Sequence, residues 1–90
     1  MKFIVSSQAF WMLMERSRGR DIKDYNLIVE GKKVHFNGIA ELDVESKEDA
    51  QIELSKKKFN RLRKVVRALE DQPIVIYVVS HALHIQNIVF

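Results

Sequence analysis

Ile52-Glu53-Leu54-Ser55-Lys56-Lys57-Lys58-Phe59-Asn60-Arg61-Leu62-Arg63-Lys64-Val65-Val66-Arg67-Ala68-Leu69, residues 52–69, changes its apolar period at Ser55. Before Ser55, Ile52 and Leu54 alternate with polar neighbours, the pattern of a half-buried strand. After it, Phe59, Leu62, Val65, Val66 and Leu69 recur at three- and four-residue spacing, which predicts a helix running to about Glu70. Ser55 is placed to cap that helix, because its hydroxyl can accept from a free amide of the first turn. Asp71-Gln72-Pro73 ends it, since proline neither donates to a helix nor fits inside one.

The same change of period occurs 49 residues earlier. Phe3, Val5, Ser6, Phe10 and Leu13 fall on Ile52, Leu54, Ser55, Phe59 and Leu62. Further along, Leu27, Val29, Val34, His35, Phe36 and Ile39 fall on Ile76, Val78, Leu83, His84, Ile85 and Ile88, so eleven positions agree without a gap. The first copy therefore reads as a strand over 2–6 and a helix carrying Phe10, Leu13, Met14 and Ser17 up to Gly19. A hairpin turning at Gly31-Lys32-Lys33 and an alternating acidic strand from Ala40 to Glu45 complete it. In the second copy, Ile74 to Val79 and Leu83 to Val89 are strands around the turn Ser80-His81-Ala82. The sequence implies one α+β domain over 1–90 made of a duplicated β-α-β-β(-β) unit, repeat 1 at 1–49 and a truncated repeat 2 at 50–90. Each unit has one apolar face, so the copies should pack about a pseudo-two-fold with both helices on one side of an antiparallel sheet.

Bulk composition agrees with a single domain. Ninety residues bury only about 60–65% of their unfolded surface, too little for two cores. The chain is 47% apolar and 30% charged, with one Pro and three Gly, and holds no low-complexity linker. Without cysteine it has neither disulfides nor thiolate metal sites. The longest apolar runs, Ala9 to Met14 and Ile74 to Val79, fall far below the roughly 20 residues that span a bilayer, and Met1 to Val5 is too short for a signal peptide. No membrane association and a cytoplasmic address are expected.

The net charge is only +3, but the charges are segregated. Seven of the 15 Lys and Arg lie between 56 and 67, and Arg16, Arg18 and Arg20 cluster at the end of the first helix. Lys56, Lys57, Arg61, Arg63, Lys64 and Arg67 occupy the face of the second helix away from its apolar stripe, with few acids one turn away to offset their repulsion. Six of the 12 acids lie between Glu41 and Glu53. A two-sided charge distribution of this kind suits a polyanion such as duplex DNA, which Lys and Arg hold through phosphates without reading sequence.

The opening Met1-Lys2-Phe3-Ile4-Val5-Ser6-Ser7 and the junction Ile52 to Leu62 resemble the bacterial DNA sliding clamp, the β subunit of the replicative polymerase. Element order matches over nearly the whole chain, though the motifs themselves are short apolar patterns. The resemblance implies duplicated β-α-β-β-β domains whose helices line a hole facing duplex DNA and whose strands form the outside of a ring. It also implies assembly, since a clamp ring holds six such domains and this chain holds one. The second repeat ends before a counterpart of Ala40 to Glu45, so unlike sheet edges, and homo-oligomers formed by pairing them, are expected.

The alternative reading is a protein-interaction or regulatory module that does not bind DNA. Trp11 and Met12 fall off the Phe10-Leu13-Met14 stripe and are its candidate contact residues, together with an open sheet edge. His35 and His84 are equivalent under the repeat, but no Glu accompanies both, so strand histidines are expected rather than metal ligands. No nucleophile–base pair, phosphate-binding glycine loop or paired catalytic carboxylate is present, so neither an enzyme nor a cofactor is expected.

Overall fold

A computed structural model describes all residues, 1–90. Repeat 1 contributes β1 (Lys2–Ser6), α1 (Ser7–Ser17), β2 (Asp24–Glu30), β3 (Lys33–Phe36), β4 (Glu41–Asp43) and β5 (Glu45–Ser46). Repeat 2 contributes β6 (Ala50–Ser55), α2 (Lys56–Ala68), β7 (Pro73–Val79), β8 (Ala82–Ile85) and β9 (Ile88–Val89). Both helices begin at a serine cap. Ser6 Oγ accepts from Ala9 N at 3.1 Å, and Ser55 Oγ accepts from Lys58 N at 3.3 Å. Helix α2 stops at Ala68, two residues short of the expected end, and Pro73 opens β7 rather than merely ending the helix.

The strands form two antiparallel sheets rather than one, in the orders β5-β1-β7-β8-β9 and β4-β3-β2-β6. Each half lends its first strand to the other: β1 pairs with β7, and β6 pairs with β2. The registers agree under the 49-residue offset, because Phe3 faces Ile76 while Ile52 faces Leu27. Backbone bonds between the halves keep the same offset, with Ser7 N donating to Gln72 O and Lys56 N to Lys23 O, each at 2.9 Å.

Hairpin chemistry follows the turn residues. Asn37-Gly38, Ser80-His81 and Gln86-Asn87 all have positive φ, as two-residue type I′ turns require. The last of these divides the strand expected over Leu83 to Val89 into β8 and β9, so repeat 2 does begin a third strand. The acidic strand expected over Ala40 to Glu45 is divided too. At buried Val44, whose N donates to Lys32 O at 2.8 Å, the chain leaves the second sheet as β4 and joins the edge of the first as β5.

One apolar cluster fills the space between helices and sheets. Phe10, Leu13, Phe59 and Leu62, the four helical anchors, are between 0% and 3% exposed. Phe59 stacks on Tyr25 with centroids 3.7 Å apart and meets Phe36 edge-on at 5.2 Å; Phe10 packs against Phe3 and Phe36. These aromatic contacts join both sheets to both helices, and each contributes about 0.5–1.5 kcal/mol beyond its buried area. No helix of the structure is long and apolar enough to cross a membrane.

Candidate nucleic-acid interface

The helices lie side by side and are joined across their seam by an ion pair. Arg63 donates to Glu15 at 2.7 Å, with only 17% and 29% of the two side chains exposed, and Arg18 reaches the same carboxylate at 3.1 Å. Partial burial alone would push the Glu15 carboxyl up. The hydrogen bonds from Arg63 and Arg18, with their charges, outweigh it and hold the carboxyl below its usual value of 4.5. Glu15 is the one acid in the two helices, against eight Lys and Arg.

The expected site residues divide by what they touch. Lys57 and Lys64 are exposed on the side of α2 opposite Phe59, Leu62 and Val66, and no acid pairs with them. Arg61 and Arg67 are exposed as well, but each guanidinium rests on an aromatic ring: Arg61 lies 5.6 Å from the centroid of Phe90, and Arg67 lies 5.5 Å from that of Trp11. A guanidinium held beside a ring keeps its N–H donors available for phosphate oxygens. Lys56 Nζ donates to the Arg20 carbonyl at 3.1 Å.

Arg63 differs from these, being turned inward and neutralised by Glu15. Arg16 is exposed in the last turn of α1, while Arg18 and Arg20 lie beyond that helix in the loop leading to β2. Together Arg18, Arg20, Lys56 and Asn60 line a cleft of about 400 Å³, where the Tyr25 hydroxyl accepts from Gly19 N. Such a cleft presents N–H donors and positive charge at the mouth of the seam.

Trp11 is half-buried under Arg67, and Met12 is 40% exposed. His35 and His84 sit on outer sheet faces, and His35 Nδ1 accepts from Gly38 N at 2.9 Å, a turn-stabilising contact. No group of three or more His, Asp or Glu is placed to hold a metal. On the sheet side, Lys33 is paired with Asp43 at 2.7 Å and lies 3.9 Å from Glu41, so the acidic strand is partly offset by its own neighbour. The Asp43 carboxylate beside it raises the Lys33 ammonium pKa above 10.5.

Sequence reasoning missed the Glu15 contact with Arg63, because the residues are 48 apart and only the packing of α1 on α2 joins them. The Glu15–Arg18 half was accessible as an i, i+3 pair. Phe90 as a platform for Arg61 carried no periodic signal at all.

No protein-family model matches the chain, and no curated protein matches it in sequence. Solved structures do match. Over its full length the chain superposes on "Caulobacter crescentus pol III beta" with a TM-score of 0.70 at 16% identity, covering 28% of that chain. It superposes on the DNA polymerase sliding clamp from Caulobacter crescentus with a TM-score of 0.73 at 15% identity, covering 29%. The chain thus has a clamp-like α+β fold and spans less than a third of the length of these structures.

Proposed function

We propose that this clamp-like domain is a DNA-binding module, not an enzyme, which holds duplex DNA through its helical layer without reading base sequence. The observation that carries the reading is the partition of charge: eight cations and one acid on the helices, that acid spent on the seam, and seven cations against eleven acids elsewhere. Lys57, Arg61, Lys64 and Arg67 form the outward row, with Arg16, Arg20 and Lys56 flanking it. The row holds only Lys and Arg on one exposed helix face, a spacing that suits phosphate oxygens along a duplex. Phosphate contacts alone therefore supply the affinity, and the fold shared with a sliding clamp supports the helices as the DNA side.

Edge-to-edge assembly of copies belongs to the same proposal. β1 is flanked by both β7 and β5, whereas β6 has a partner only in β2, so the two sheets end in unlike edges. The alternative reading, in which Trp11 and Met12 dock a protein, has exposed Met12 and half-buried Trp11 with Arg67 beside it.

Fluorescence anisotropy with two labelled duplexes of unrelated sequence tests the proposal. The wild type should bind both equally, and replacing Lys57, Arg61, Lys64 and Arg67 with Glu should abolish binding of both while the circular dichroism spectrum stays unchanged. Retained binding in the folded variant would remove the helical layer from consideration.

A further inference from the structure

The two sheets have equivalent outer faces that differ in chemistry. Alternation sends Ile4, Val75, Tyr77, Val79 and Val89 outward from the first sheet, each 36–54% exposed. These are five of the eight large apolar side chains exposed on the molecule, and none of the other three lies on the outer face of the second sheet. Offset by 49 residues, the counterparts of Ile4, Val75 and Val79 are Glu53, Asn26 and Glu30. The backbone thus accepts polar residues at these positions, and the first sheet carries apolar ones. Strand β7 reads Pro-Ile-Val-Ile-Tyr-Val-Val, a continuous apolar run of the kind found in strands covered on both faces, whereas the outer face of β2 is polar except at Ile28, the counterpart of Tyr77.

Cross-strand registers make the patch contiguous. Ile4 faces Val75 in one row, and Tyr77 faces His84, which faces Val89, in the next. Beside Tyr77 a groove of about 490 Å³ runs between β7 and the Gln86-Asn87 turn. Tyr77 stands at the middle of the central strand of this sheet.

We propose that this face is an interface for a second copy of the chain, the two first sheets packing face to face about a two-fold that passes beside Tyr77. With that axis running across the strands, Tyr77 of each copy lies over Val75 and the groove of the other. An isologous contact requires this reciprocity. The rim is self-complementary as well, since Lys2 lies in the row of Tyr77 and Glu45 in the row of Ile4, and the axis brings each toward the opposite charge. The cationic helices lie on the far side of each copy, so pairing does not bring like charges together and leaves both helical layers free. Roughly 500 Å² buried per copy, from the spacing of strands and residues in the sheet, falls at the lower bound of specific interfaces and predicts a weak, reversible dimer.

Sedimentation equilibrium of the full chain without DNA, from about 10 to about 500 μM, tests this. The wild-type mass should rise from 10.6 kDa toward twice that value, and should still do so in about 1 M NaCl, because salt screens the rim charges but not the apolar contact. Tyr77→Lys should stay monomeric with an unchanged circular dichroism spectrum, and Val79→Lys decides the matter should Tyr77→Lys fail to fold. Ile28→Lys, the same position on the second sheet, should associate as the wild type does. A wild type that remains monomeric throughout, a folded Tyr77→Lys or Val79→Lys that associates normally, or equal loss in Ile28→Lys would overturn the proposal.

Discussion

Glu15 is the residue on which the helix seam turns, because it gathers Arg63 and Arg18 where α1 meets α2. Its folded-state pKa is lowered, so its contribution is present at neutral pH and is lost as pH falls below about 4.5 and through the lowered value. Glu15→Gln should therefore cost about 0.5–1 kcal/mol in urea denaturation at neutral pH, a partly exposed pair being worth no more, and the deficit should vanish in strong acid. A deficit independent of pH would mean that packing, not charge, holds the seam. Phe59 carries a larger share. Fully buried and stacked on Tyr25, it should cost about 3–5 kcal/mol when cut to Ala, a large part of the stability of so small a domain, and thermal denaturation should show an unfolded or barely folded variant. The burial of Phe10, Leu13, Phe59 and Leu62 was legible from spacing alone, since periodicity reports which face of a helix lacks polar groups. The stacking partner was not legible, because a ring's neighbour is decided by how the sheets meet.

At the scale of elements, the strand–serine–helix junction was readable twice over, and both serines cap as their position implies. Ser55→Ala should lower stability by about 1 kcal/mol without altering the helical face, which chemical denaturation can verify. Hairpin turns were readable at Gly31-Lys32-Lys33 and Ser80-His81-Ala82. The turn at Gln86-Asn87 was missed because Leu83, Ile85, Ile88 and Val89 read as one extended segment, although it falls 49 residues after Asn37-Gly38 and Asn87 tolerates the left-handed backbone. Helix α2 presents Lys57 and Lys64 without acidic partners, whereas Lys33 on the sheet side is bound to Asp43. Lys57→Glu with Lys64→Glu should weaken duplex binding by at least tenfold, while Lys33→Glu should change it little, as filter binding at low salt would show. An equal loss from Lys33→Glu would point to net charge rather than a helical surface.

At the scale of the whole molecule, the 49-residue register implied two like halves, but not that each half would lend its first strand to the other. Periodicity records burial along one dimension, and strand partners are chosen in two, so the exchange of β1 and β6 and the change of sheet at Val44 lay outside its reach. Charge segregation largely survived the folding, since the helices hold eight cations in one layer against the single acid Glu15, onto which Arg63 is turned. Whether that layer meets DNA is tested most directly by the salt dependence of duplex affinity for the full chain. If Lys57, Arg61, Lys64 and Arg67 each neutralise a phosphate, the logarithm of the binding constant should fall linearly with the logarithm of salt concentration, with a slope of about −3 to −4, for any duplex sequence. An affinity indifferent to salt, or no duplex binding at low ionic strength, would contradict the account.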